Sequence, residues 1–182
     1  MRLEETKIPG VWMLESKFFG DHRGIFSRLF CAEELKDILG HRTILQINHS
    51  LSRNTGTIRG MHYQRQPHAE MKIVRCLQGS VLDIAVDLRR GSPTFLQWAS
   101  LELSAKNYHA FVIPEGCAHG FQVLEDDTEL LYLHTALYTP AAEGAVRFDD
   151  PKLNITWPLA PTDISARDLK HELLSDDFKG IA

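Results

Sequence analysis

Thr57-Ile58-Arg59-Gly60-Met61-His62-Tyr63-Gln64 sets a cation, a glycine, an imidazole, a phenol and an amide in one short run. Apolar and polar side chains alternate along it: Ile58 then Arg59, Met61 then His62. This alternation predicts a strand with one face packed in the protein and the other on a cavity. On a regular strand Arg59 and His62 would point to opposite faces, because side chains repeat every two residues. Gly60 is where the strand can bend or bulge and bring both to one side. An imidazole near an arginine suits an anionic substrate that needs a proton moved. The plainer reading is a core histidine next to a surface arginine.

Outward from this run the text stays strand-like. Segments 43–50, 57–64, 71–77, 80–88, 94–103, 109–113, 119–124 and 129–137 read as strands. Turns fall at Asn54-Thr55-Gly56, Gln78-Gly79, Gly91-Ser92-Pro93, Pro114-Glu115-Gly116 and Glu125-Asp126-Asp127. In Val81-Leu82-Asp83-Ile84-Ala85-Val86-Asp87-Leu88 the two aspartates alternate with apolar residues, as on one face of a curled sheet. Repeated short strands at even spacing, with almost no helical period, predict an all-β sandwich or barrel.

The flanks are less regular. A short strand leads in, Pro9-Gly10 turns, and 11–14 reads as a strand. Phe18 to Phe26 is read as a loop with aromatic flanks, since Gly20-Asp21 and Arg23-Gly24 punctuate it. Ala32 to Leu39 predicts a helix ended by Gly40. Near the C-terminus Ser165 is placed as the N-cap of a helical stretch over 165–174. No internal repeat or low-complexity linker appears, and 182 residues fit one domain over 1–182.

Composition narrows the function classes. A net charge of −4 argues against a protein that coats nucleic acid. Cys31, Cys76 and Cys117 are odd in number and form no C-x-x-C pair. A disulfide framework or zinc knuckle is therefore not expected, and a reduced, cytoplasmic setting is. Met1-Arg2-Leu3-Glu4-Glu5 is charged and lacks the apolar core of a signal peptide. No apolar run is long enough to span a bilayer, so no membrane partner is expected.

Pro114-Glu115-Gly116-Cys117-Ala118-His119-Gly120-Phe121 is a second landmark, a proline-glycine turn feeding a histidine, as in the second cupin motif. Metal-binding cupins pair it with H-x-H and a following glutamate. Here that position reads His62-Tyr63-Gln64, and an amide is a poor ligand for a transition metal. His68 and Glu70 follow and keep a metal site formally open, but none is expected.

Taken together, these blocks resemble the dTDP-4-dehydrorhamnose 3,5-epimerase family from about residue 18 to 170. The resemblance rests on Asp21-His22-Arg23-Gly24-Ile25-Phe26, Gln46-Ile47-Asn48-His49-Ser50, Arg59-Gly60-Met61-His62-Tyr63-Gln64 and Lys72-Ile73-Val74-Arg75. It continues through Asp83 to Arg89, Ser92-Pro93-Thr94, Ile113 to Gly116 and Ala118 to Phe121. Asp149-Asp150-Pro151, Ile155-Thr156-Trp157-Pro158 and Ser165-Ala166-Arg167-Asp168 close it.

The resemblance implies a cupin-type jelly roll, usually a homodimer, that needs no metal or organic cofactor and acts on a nucleotide-linked 4-keto-6-deoxyhexose. By the family's pattern His62 resembles the base, Asp168 its partner, and Tyr132 the acid on the opposite face of the sugar. Lys72 resembles the cation beside the developing enolate. Arg23 and Arg59 resemble diphosphate contacts. Gln46, Asn48, His119, Glu143 and Arg167 fall where the family contacts substrate, and Phe26, Arg28 and Tyr138 are grouped with them.

The chemistry agrees with these residue types. A C4 ketone acidifies the C–H bonds at C3 and C5, a base takes the proton, and a cation holds the enolate. Inversion needs a proton returned to the other face, which a tyrosine across the cavity can give. Arginine forks suit diphosphate oxygens. Plainer roles stand beside these: His62 and Tyr132 as core residues, Lys72 on the surface, Asp168 as a helix-start acid.

Departures from the family pattern are Arg28 for glutamate, Leu133 for lysine, Leu137 for an aromatic, Phe148 for tryptophan and Arg167 for lysine. They leave open the nucleotide (dTDP, CDP or GDP) and whether C3, C5 or both are inverted. A single-position epimerase, a ketoisomerase, a non-catalytic nucleotide-sugar-binding cupin and a metal-dependent oxygenase are the alternatives.

Overall fold

A computed structural model describes residues 1–181. Its strands are β1 (Arg2–Glu5), β2 (Trp12–Glu15), β3 (Phe18–Asp21), β4 (Gly24–Ser27), β5 (Gln46–Ser52), β6 (Ile58–Gln64) and β7 (Lys72–Gln78). The chain continues through β8 (Ser80–Asp87), β9 (Trp98–Ser104), β10 (His109–Ile113), β11 (Cys117–Val123), β12 (Thr128–His134) and β13 (Glu143–Ala145). Two short helices, α1 (Lys36–Leu39) and α2 (Ala166–Leu169), complete it. One sheet runs β1-β2-β10-β7-β12-β5, and the other β13-β6-β11-β8-β9. They face each other as a jelly roll of the cupin type, and β3-β4 stands apart as a hairpin. Among the described residues no helix is long and apolar enough to cross a membrane.

The alternation seen in the sequence decides what lies between the sheets. Val74, Cys76, Phe111 and Leu130 meet Val81, Ala85, Phe121 and Val123 there, with Tyr132 packed against them. β7 and β8 bury apolar side chains on both faces, since each strand is covered on both sides, with Lys72, Arg75, Asp83 and Asp87 buried among them. Behind the six-stranded sheet Ile73, Val112 and Leu133 pack on Leu35 and Leu39. Behind the five-stranded sheet Ile84 and Val86 pack on Val146 and Leu153. Leu133 therefore faces away from the space between the sheets. Its replacement of lysine falls in that outer core.

Four sequence expectations need correction. Phe18 to Phe26 is a hairpin, not a loop: the punctuation is its tight turn, where the Arg23 N–H donates to Asp21 Oδ1 at 2.8 Å and Gly24 takes φ 138°. The first helix covers only Lys36–Leu39, since no side chain caps its start, though Gly40 does end it at φ 58°. α2 is N-capped by Ser165, whose Oγ accepts from the Asp168 N–H at 3.0 Å. It stops at Leu169, well short of 174, and the Leu174 N–H is drawn instead to Asp150 Oδ2 at 2.6 Å. The strand expected from 94 begins at Trp98. Before it, the Ser92 and Thr94 hydroxyls donate to Asp87 at 2.5 and 2.6 Å and Leu96 turns to φ 63°.

Candidate active site

The bend at Gly60 is a β-bulge. Arg59 and His62 are three positions apart on β6, yet their partners Phe121 and His119 are two apart on β11. One extra residue on β6 shifts the phase, so Arg59 and His62 share the inner face. Gly60 takes φ 129°, and a Cβ there would stand 2.5 Å from Gly120 Cα. Only glycine fits this conformation and this close approach.

A cavity of about 600 Å³ opens where the two sheets part. The six-stranded sheet lines it with Asn48, Ser50, Lys72, Tyr132 and His134. The five-stranded sheet contributes Arg59, His62, His119 and Phe121, and the segment Asp163 to Asp168 closes one side. Its size is that of a small-molecule site rather than a packing defect.

Inside it His62 Nε2 lies 2.8 Å from Asp168 Oδ1. The carboxylate can only accept, so Nε2–H donates and Nδ1 carries the lone pair. Burial opposes the Asp168 charge, but the His62 contact and the Gly60 N–H outweigh it and hold this carboxyl below its ordinary value. Arg167 Nη2 stands 3.4 Å from the same imidazole nitrogen. Lys72 Nζ reaches the His62 carbonyl oxygen at 3.5 Å and pairs with Glu70 at 3.2 Å. The Tyr132 hydroxyl shares a hydrogen bond with Ser50 Oγ at 3.1 Å. Burial pushes the Tyr132 phenol far above its ordinary value, so it remains protonated. His119 meets Tyr132 edge-on with centroids 6.1 Å apart, and its Nε2 pairs with buried Asp83 at 2.5 Å.

The structure thus gathers His62, Asp168, Lys72, Tyr132, Asn48, Arg59, His119 and Arg167 at one cavity. Gln46, Tyr138 and Glu143 are tied to its rim. Gln46 Nε2 donates to Asn48 Oδ1 at 3.1 Å, and Gln46 Oε1 accepts from the Tyr138 N–H at 3.0 Å. Glu143 accepts from both the Tyr138 hydroxyl and Arg167 at 3.2 Å. Arg23, Phe26 and Arg28 are not brought to this cavity. Arg23 pairs with Asp21 at 2.6 Å, Arg28 with Glu34 at 2.5 Å, and Phe26 is 73% exposed on the hairpin.

Sequence reading missed Ser50, Asp83, His134 and His171. Ser50 follows Gln46 and Asn48 at strand period, as His134 follows Tyr132, so the period was the available signal. Asp83 was noted for its alternation alone. Nothing in the sequence marked His171. Gln64, weighed as a ligand position, is a structural clamp: it donates to the His68 carbonyl at 3.0 Å and accepts from the Thr139 N–H at 2.6 Å. One metal-capable set occurs among the described residues, with donor atoms of His62, Asp168 and His171 within 4.8 Å of one another. It suits a cation poorly, because the Arg167 guanidinium lies 3.4 Å from the His62 nitrogen and 3.8 Å from the Asp168 carboxylate.

Comparison with known proteins adds an independent line. Residues 5–176 match the family described as dTDP-4-dehydrorhamnose 3,5-epimerase. The Salmonella typhimurium dTDP-4-dehydrorhamnose 3,5-epimerase is 42% identical over 172 residues, spanning 93% of each chain. A Legionella pneumophila dTDP-6-deoxy-D-glucose-3,5-epimerase, solved with dTDP-4-keto-L-rhamnose, superposes with a TM-score of 0.90 at 40% identity, over 94% of this chain and 92% of that one. A 3'-monoepimerase from Streptomyces bikiniensis, solved with dTDP-quinovose, superposes with a TM-score of 0.86 at 35% identity, over 92% and 85%.

Proposed function

This chain belongs to the dTDP-4-dehydrorhamnose 3,5-epimerase family, the isomerases of deoxysugar biosynthesis, and on that premise we propose that its cavity inverts C3 and C5 of a dTDP-linked 4-keto-6-deoxyhexose. The observation that carries this reading is the pairing of His62 with Asp168 on one side of the cavity and the protonated Tyr132 phenol on the six-stranded sheet.

His62 Nδ1 takes the proton next to the ketone while Asp168 supports the resulting imidazolium through Nε2–H. Lys72 faces the enolate oxygen, and a fixed cation there lowers the barrier by several kcal/mol. Tyr132 returns a proton to the opposite face. Once His62 has released its proton to solvent and the Tyr132 phenolate has taken one up, the same sequence at the second carbon completes a double inversion. Arg59 and Arg167 supply the positive field for the diphosphate. Tyr138, half-exposed at the rim, offers a flat surface for the base.

The test is solvent-deuterium incorporation followed by NMR, offering dTDP-, CDP- and GDP-linked 4-keto-6-deoxyhexoses in parallel. Label at both C3 and C5 of the dTDP sugar is expected. Label at C3 alone would make the enzyme a monoepimerase, and binding without any exchange would leave only a nucleotide-sugar-binding protein.

The β3-β4 hairpin supports a homodimer within the same proposal. It exposes Phe18, Phe19, Ile25 and Phe26, and an isolated two-stranded ribbon is only marginally stable in water. A second copy that covers it would bring Arg23, Phe26 and Arg28 to the partner's cavity, reconciling their family resemblance with their absence from their own. Sedimentation should show a dimer, and Phe19→Asp with Phe26→Asp should dissociate it and depress turnover together. A fully active monomer would refute the arrangement.

A further inference from the structure

Glu70 and His134 have no part in the mechanism above, yet both are buried at the edge of the cavity. They begin a hydrogen-bonded chain that ends at the rim. His134 Nδ1 is 2.7 Å from Glu70 Oε2, and His134 Nε2 is 3.4 Å from Asn48 Nδ2. Asn48 Oδ1 then receives Gln46 Nε2 at 3.1 Å, and Gln46 Oε1 receives the Tyr138 N–H at 3.0 Å.

Both ends of this chain are chemically unambiguous. A backbone N–H can only donate, and an ionised carboxylate can only accept. From the Tyr138 end, Gln46 must present its oxygen to the backbone and its NH₂ to Asn48. Asn48 must then present oxygen to Gln46 and NH₂ to His134, whose Nε2 must carry a lone pair. From the Glu70 end, His134 must donate through Nδ1. The two derivations meet on one state: neutral His134 protonated on Nδ1. The register places these residues side by side, with Tyr132 opposite Asn48, His134 opposite Gln46 on β5, and His134 opposite Lys72 on β7.

We propose that Glu70 and His134 are positioning residues for substrate: the carboxylate sets the imidazole tautomer, and the imidazole fixes which atoms Asn48 and Gln46 offer to a sugar nucleotide. The proposal rests on the reading of the cavity as a nucleotide-sugar site. The same carboxylate also holds Lys72 at 3.2 Å, so one buried anion orients both the cation and the amides. His134 stacks on Tyr132 with centroids 6.0 Å apart and planes at 19°, which holds the plane of the ring, while its contacts to Glu70 and Asn48 set which nitrogen faces each.

Two measurements test this. Imidazole ¹⁵N shifts at neutral pH should report His134 as the neutral Nδ1–H tautomer, and Glu70→Gln should remove that bias. An Nε2–H tautomer or an imidazolium in the unaltered protein would overturn the proposal, whether or not any sugar is turned over. Kinetics supply the second readout, after circular dichroism shows that each variant is folded. His134→Leu keeps apolar volume but cannot accept from Asn48, and should raise KM about tenfold, the size of one lost hydrogen bond, with little change in kcat. His134→Gln can still accept from Asn48 through its Oε1 and should recover most of that loss. An unchanged KM in His134→Leu would overturn the proposal. Absence of turnover in the unaltered protein would refute the epimerase reading instead, while the tautomer still decides the positioning role.

Discussion

His62→Ala should lower turnover by at least about a hundredfold, the low end of what a positioned general base contributes, while dTDP-sugar binding survives. The His62 imidazole combines a lone pair on Nδ1 with a carboxylate at Nε2–H that can stabilise its protonated form. Alanine removes the base but leaves Arg59, Lys72 and Arg167 to hold an anionic ligand. Binding measured by calorimetry and turnover measured by NMR should therefore separate. Asp168→Asn should fall in the same direction, because an amide can no longer support the imidazolium. The Asp168 carboxyl lies below its ordinary value in the folded protein. Its contribution to stability is thus complete above the ordinary carboxylate value and is lost only as pH falls through the lowered one. Acid loss of activity near neutrality must come from another group. If His62→Ala turned over substrate normally, the dyad assignment would be wrong.

The sheet order could not be read from the chain, but most of its strands could, because alternation reports which face is buried wherever a sheet has a core on one side. The segments at 57–64, 80–88 and 109–113 are recovered within a residue or so. Failures cluster where local punctuation has two readings. Gly20-Asp21 and Arg23-Gly24 suit a loop or a tight turn equally, and only pairing of Phe19 with Phe26 distinguishes them. The Gly60 bulge was legible as a possibility; its consequence, Arg59 and His62 on one face, needed the register against β11. The Glu70–His134 contact spans 64 residues and involves two polar residues with no motif between them. No local pattern encodes such a pair. Leu133 shows the converse: a departure from the family pattern whose place in the outer core, away from the cavity, only the packing reveals.

Tyr132→Phe should separate two events that the intact enzyme couples. Phenylalanine keeps the ring against His119 and His134 and removes only the hydroxyl that meets Ser50. His62 can still take a proton and return one from solvent to the same face, so deuterium wash-in at the reacting carbon should persist. Inversion requires delivery from the opposite side, and without the phenol it should fall by about a hundredfold or more, the usual worth of a general acid. Folding should suffer by only about 1 kcal/mol, the net value of one hydrogen bond, so a thermal melt can exclude collapse as the cause. The geometry also explains why a phenol so strongly raised by burial can serve. It stays protonated between turnovers, and the Arg59 charge eases formation of the phenolate that proton delivery leaves behind. Arg59→Gln should then weaken inversion more than exchange, echoing Tyr132→Phe on a smaller scale. If exchange and inversion fall by the same factor in Tyr132→Phe, the hydroxyl is not the second proton source and the tyrosine serves only to pack the cavity wall.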